Sequence, residues 1–130
     1  MAFDGKLTVN GKKFDVLYAC NEFERDVDQK GRPSSHVYGG KITVVVESTD
    51  DTSLLESMFS EHKPISGDLA YKQGKEDAEM KKLEFKDGYI VKFKEIFERK
   101  DKTPMTTEIV ITAREFSCGN AVHKEEWPEG

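Results

Sequence analysis

Apolar residues recur at every second position along most of this chain, the period of strands with one covered face. Phe3, Leu7 and Val9 share one face of a first strand. Asn10-Gly11, a pair that tolerates positive φ, predicts a two-residue hairpin turn after it. Phe14, Val16, Tyr18 and Cys20 alternate in a second strand, and Leu17 and Ala19 make its opposite face apolar too, so both faces are expected to be covered. A third strand spans 37–47, with Ile42, Val44 and Val46 on one side. Ile65, Leu69 and Tyr71 alternate in a fourth, and the polar run 73–79 reads as a loop. Leu83 and Phe85 lead to a predicted turn at Asp87-Gly88. Beyond it, Tyr89, Val91, Phe93 and Phe97 form one face of a long strand, with Lys92, Lys94 and Glu98 on the other. Pro104 starts the last strand, where Ile109, Ile111 and Ala113 point one way.

One segment breaks the period. Leu54, Leu55, Met58 and Phe59 fall on one helical stripe, preceded by four cap-forming residues, Asp50, Asp51, Thr52 and Ser53. Ser53-Leu54-Leu55-Glu56 fits a capping box, and Pro64 closes the segment. The pattern as a whole predicts an all-β barrel or sandwich of about seven to nine antiparallel strands. A single short α-helix near 52–61 plugs an open end of the sheet or barrel.

Length and charge narrow the function. At 130 residues the chain is expected to be one domain, 1–130, with no internal repeat or linker. Its charged fraction of 35% implies a heavily solvated surface. Its net charge of −5, with no basic stripe carrying interleaved aromatics, argues against nucleic acid as a partner. No apolar run approaches the ~20 residues that span a bilayer, so no membrane partner is expected. The first residues lack the cationic and apolar regions of a secretory signal. Assembly in the cytoplasm is expected, with any export by a route that reads no such signal. Cys20 and Cys118 are expected to be free thiols, Cys20 as a small buried hydrophobe.

The search for chemistry finds no convergent reactive groups. His36, His62 and His123 are isolated from one another and from any metal-ligand spacing, and no phosphate loop, dinucleotide fingerprint or nucleophile elbow is present. The paired acids Asp50-Asp51, Glu76-Asp77 and Glu125-Glu126 read as a helix cap and solvated loops. Neither an enzyme nor a cofactor is expected.

Two features resist that plain picture. Gly31-Arg32-Pro33-Ser34-Ser35, followed by Val37 and Gly39-Gly40, carries no catalytic chemistry. Pro33 stiffens it, the serines can bond nearby backbone, and the glycines let the chain bend as a strand begins. Taken alone it is an ordinary hairpin loop; its shape is what a neighbouring molecule would meet. Leu17, Tyr18, Ala19 and Val45 also offer more apolar surface than one core face requires, which oligomerisation through the sheet flanks would cover.

In order and spacing the chain resembles the tube-forming proteins of the type VI secretion system, the haemolysin-coregulated protein family (Hcp, or TssD), and its short members above all. The resemblance runs through Met1-Ala2-Phe3, Lys6-Leu7, Gly11-Lys12 and Phe14-Asp15-Val16-Leu17, then the loop 31–35 with Val37 and Gly39-Gly40-Lys41-Ile42. It continues in Glu47-Ser48-Thr49-Asp50-Asp51-Thr52, Ser66-Gly67, Met80-Lys81, Leu83, Phe85, Tyr89, Pro104-Met105-Thr106, and Gly119-Asn120-Ala121 through His123 to Trp127-Pro128. The resemblance implies a small barrel flanked by a helix, six copies of which close into a ring. Rings stack into a hollow tube inside a contractile sheath, and contraction expels the tube behind a VgrG-type spike with effector proteins carried along. It implies that the long loop 26–38, and within it Gly31, Arg32, Pro33, Ser34 and Ser35, contacts the next subunit or ring. The tail bearing His123 and Trp127 packs either on a neighbour or back on its own barrel. A small-molecule-binding barrel and a phage-like tail tube protein are the alternatives.

Overall fold

The structure, a computed structural model, describes residues 3–73, 79–99 and 105–124. Strands β1 (Phe3–Val9), β2 (Lys12–Glu24) and β3 (Tyr38–Glu47) lead to helix α1 (Ser53–Phe59). Strands β4 (Ile65–Gln73), β5 (Glu79–Ile96), β6 (Thr106–Cys118) and β7 (Ala121–Lys124) follow. All pairings are antiparallel, in the order β3-β2-β1-β4-β5-β6-β7, and β3 also pairs with β6. That last pairing closes six strands into a barrel and leaves β7 as an appended strand on β6. Closure removes the exposed edges that an open sheet of this size would present.

The alternation places the core where it was expected in the central strands. Ile42, Val44 and Val46 of β3 lie beside Ile109, Ile111 and Ala113 of neighbouring β6 inside the barrel, and pack in one core with Leu7, Leu69 and Phe85. Each fully buried aliphatic side chain contributes about 1.5–3 kcal/mol relative to exposure. The barrel interior is therefore packed side chains. The turn at Asn10-Gly11 forms, with both residues at positive φ.

Three predicted faces are overturned, for one reason. Opposite β3, the register of β2 shifts between Val16 and Tyr18, so Leu17 is an extra residue. Beyond this bulge the inward face passes to Ala19, and Tyr18 leaves the Phe14–Val16 face and turns outward. Leu17 and Tyr18 are 52% and 57% exposed, so the second face of β2 is bare in the protomer rather than covered. Asp87-Gly88 is not a turn. Chain β5 runs straight through it, with an extra residue opposite β4 and Asp87 in the left-handed region. A second irregularity at Val91 shifts the register against β6. Ile90 and Phe93 consequently pack inward, while Val91 and Phe97 are exposed.

The helix begins as the acids predicted, but not through Ser53. Thr52 is the N-cap, and the Asp51 carboxylate accepts the Ser53 amide at 2.7 Å while pairing with Lys12. The amide of Ser53 is the main cause that holds the Asp51 pKa down at about 2. Only part of the predicted stripe is covered: Leu54 is buried, Met58 packs on the core, and Phe59 is 73% exposed. Strand β4 starts opposite Gly88, which leaves the later half of β5 without a partner on that side. Helix α1 packs against β5 there, and its buried Leu54 sits with Phe14, Val46, Phe93 and Thr107 at the barrel end where β3 finishes, so the helix covers that end as expected.

Candidate functional site

The predicted loop is a second, smaller hairpin standing on the barrel end where β2 becomes β3. It is ordered by its own polar atoms. One oxygen of the Asp28 carboxylate accepts the amides of Lys30 and Arg32, each at 2.9 Å, and the other accepts Arg32 Nε at 3.0 Å. The backbone closes the same turn: Asp28 N donates to the Arg32 carbonyl at 2.8 Å, and Gly31 N to the Asp28 carbonyl at 3.0 Å. Gly31 sits at φ +83°, a conformation that side-chain-bearing residues rarely adopt, which explains a glycine at this position. Below the turn, Val27 and Pro33 form an isolated bridge and Ser34 N donates to the Asp26 carbonyl. Ser35 Oγ accepts the Asp26 amide at 2.8 Å and donates to the His36 carbonyl at 2.9 Å.

The base of the hairpin is tied in two ways. Tyr38 Oη donates to the Asp26 carboxylate at 2.6 Å, and that carboxylate raises the Tyr38 pKa to about 12. Arg25 Nε donates to the Ser35 carbonyl at 3.2 Å. Asp28 is displaced in the other direction: the Arg32 amide, then the Lys30 amide, hold its carboxyl below the usual carboxylate range. Of the residues singled out in the sequence, Gly31 and Pro33 shape the loop, Ser35 pins it, and Arg32 is bound within it at Nε. The exposed segment is thus pre-ordered, which lowers the entropy cost of any contact it makes.

Beside the loop base lies an aromatic stack. The Phe23 ring meets Phe116 edge-on at 5.2 Å between centroids and His123 at 5.7 Å. His123 therefore belongs to the same barrel end as the loop and ties β7 to β2, whereas Trp127 lies outside the described residues. A cleft of about 280 Å³ opens there between Phe23, Val37, Phe116, Cys118, Val122 and His123. Cys118 and Cys20 are free and half-buried. Asp26, Asp28, Phe23 and Tyr38 were not singled out from the sequence. The Asp28-Gln29-Lys30-Gly31 run carried a readable signal, since an Asp two residues before a backbone donor is an Asx turn.

Two other surface regions compete for attention. A larger concavity of about 480 Å³ on the outer face of β1 and β4 is lined by Lys6, Lys13, Asp15, Asp68, Lys72 and Lys82. Its charges pair among themselves, Lys6 with Asp15 and Lys82 with Asp68, as on a solvated strand face. Elsewhere on the outer wall, exposed Leu17 and Tyr18 of β2, with Val45 of β3 cross-strand from Tyr18, form an apolar strip. Among the described residues, no three His, Cys, Asp or Glu side chains group to hold a metal.

Comparison with known proteins accounts for this architecture. The profile of the Hemolysin coregulated protein Hcp (TssD) family matches residues 1–128. The structure of Hcp1 from Flavobacterium johnsoniae is 34% identical, with a TM-score of 0.88, covering 94% of this chain and 99% of that one. A mutant Hcp1 from E. coli EAEC 042 is 10% identical but superposes over 98% of this chain and 99% of its own, with a TM-score of 0.73. The sheath-tube complex of an extracellular contractile injection system shares the fold at 12% identity and a TM-score of 0.68, over 88% of this chain and 86% of that one. No curated protein sequence matches the chain. With a family match over nearly its whole length and a third of its residues shared with a solved Hcp1, the chain belongs to the Hcp (TssD) family of tube proteins, which are structural and not enzymes.

Proposed function

We propose that six copies of this chain close into a ring through their barrel flanks. Rings then stack head to tail, through the loop 25–37, into the inner tube of a type VI secretion machine. A heterologous contact that closes after six copies makes a ring, and a second contact that does not close makes a filament. The observation that carries this reading is the loop itself. A largely exposed segment held by six side-chain hydrogen bonds of its own, with a seventh from Tyr38 at its base, has been shaped for contact, because solvent asks for no such order. The uncharged flank at Leu17, Tyr18 and Val45 supplies lateral surface for ring closure. In this reading the protein assembles in the cytoplasm and leaves as part of the tube, driven by a contractile sheath behind a VgrG-type spike, with effector proteins as cargo. The packed interior argues against the rival barrel that binds a small molecule.

The test is a double substitution, Arg32→Ala with Pro33→Gly, which unties the loop without touching the barrel. The unfolding free energy of the monomer from urea titration should stay within about 0.5 kcal/mol of wild type, as for exposed sites. High-mass assemblies and sheath-driven release should be lost. A folded variant that assembles and is released like wild type contradicts the proposal.

A further inference from the structure

We infer that the exposed face of α1, built around Glu56 and Phe59, is the docking surface for the loop 25–37 of a second copy of this chain. The inference rests on the tube reading and adds to it the receiving surface. Position comes first. The loop enters β3 at Tyr38 and α1 follows β3 after Glu47, so the two lie at opposite ends of one strand of ten residues, roughly 30 Å apart. Copies repeated head to tail bring the loop of one to the helix of the next.

Chemistry comes second, and the two ends are complementary in both charge and apolar surface. The loop 25–37 holds three bases and two acids, against four acids and one lysine in the segment 48–64. The loop acids are turned to internal use: Asp26 accepts Tyr38 Oη, and Asp28 accepts two amides and Arg32 Nε. What the tip presents outward is therefore cationic, with exposed Lys30 at its apex. Under the tip, Val27, 65% exposed, pairs across the hairpin with exposed Pro33, an apolar rung that the subunit itself does not cover. Helix α1 offers the match: Phe59 is exposed, and Glu56 lies three residues earlier, hence on the same side. Next to Glu56 a depression of about 280 Å³ is lined by Asn10, Ser57, Ser60, Lys63 and Ile65. Its oxygen acceptors outnumber its one cation, so it suits the Lys30 ammonium. Glu56 accepts Thr52 Oγ1 at 2.9 Å through one carboxylate oxygen, which leaves its second oxygen for an incoming donor.

The experiment is zero-length carbodiimide cross-linking of the assembled wild-type protein, mixing isotope-labelled and unlabelled copies so that inter-copy links are recognised by mass. The expected product joins Lys30 of one copy to Glu56 or Glu61 of another. In parallel, Lys30→Glu and Glu56→Lys should each raise the concentration needed for stacking by about tenfold, and the two together should restore most of it. Both sites are exposed, so the unfolding midpoints serve as a check that each variant is folded. Links from Lys30 only to acids outside 48–64, or a double variant as weak as the sum of its parts, overturn the docking assignment while leaving rings and tubes intact. A wild-type protein that stays monomeric overturns both this inference and the tube reading.

Discussion

Replacing Gly40 by Ala probes the joint between loop and barrel. A Cβ at this position would stand 2.7 Å from Phe23 Cε1 and 2.9 Å from Phe116 Cε2, against the 3.4 Å at which ordinary contact begins. Both rings must give way, and they are the two that stack edge-on at the loop base. Overpacking of this kind costs about 1–3 kcal/mol, and the lost edge-to-face geometry adds about 0.5–1.5 kcal/mol. We expect a loss of about 2 kcal/mol in urea unfolding and a fall in Tm of roughly 4–8 °C. The cause is identified by a double-mutant cycle. In a Phe23→Ala background the nearer ring is gone, so the cost of Gly40→Ala should shrink by about 1 kcal/mol. If the two substitutions add to within about 0.5 kcal/mol, the clash with Phe23 is not the source and the reasoning is refuted.

Acidification should loosen the loop tip. Asp28 has a lowered pKa, so its contribution is complete above the ordinary value of 3.8 and disappears as pH falls through the lower folded value. The protection factors of the Lys30 and Arg32 amides, taken against the intrinsic rate at each pH, should fall across that window, and Asp28→Ala should show low protection already at neutral pH; unchanged protection in the variant contradicts the assignment. Tyr38 has a raised pKa, so its bond to Asp26 is complete below pH 10 and is lost as pH rises through about 12. Ultraviolet titration should show Tyr38 titrating late, alongside Tyr71 which burial also raises, and Asp26→Asn should return Tyr38 alone toward 10. Tyr18→Ala, on the exposed flank, should leave the monomer within about 0.5 kcal/mol of wild type yet weaken ring formation in light scattering. Leu69→Ala, at a fully buried site, should instead cost about 2–5 kcal/mol. Equal effects of these two on unfolding would argue that Tyr18 is not an outer-surface residue.

How much was legible in the sequence follows from where the alternation is uninterrupted. Ile42, Val44 and Val46, like Ile109, Ile111 and Ala113, keep strict period two, and the barrel wall they form was read correctly. Tyr18 and Val91 were misassigned because one inserted residue inverts every later side chain, and no local pattern records the insertion. Asp87-Gly88 carries the same signal for a bulge as for a turn, since both need positive φ; what decides is the length of the partner strand, which is a tertiary fact. The loop was found through Pro33 and its serines. Its organising residue, Asp28, is an ordinary surface acid until Gly31 folds the chain back over it. Strand β7 was missed because four residues of mixed polarity carry no period.

The central claim is that this protomer repeats into rings and rings into tubes, and imaging the purified protein by negative stain, with light scattering on the same sample, tests it most directly. Six-fold annular particles with a mass of about six times 14.8 kDa, lengthening into stacks at higher concentration, are the predicted result. A single species of one-copy mass at every concentration, with no annular particles in the images, would contradict it.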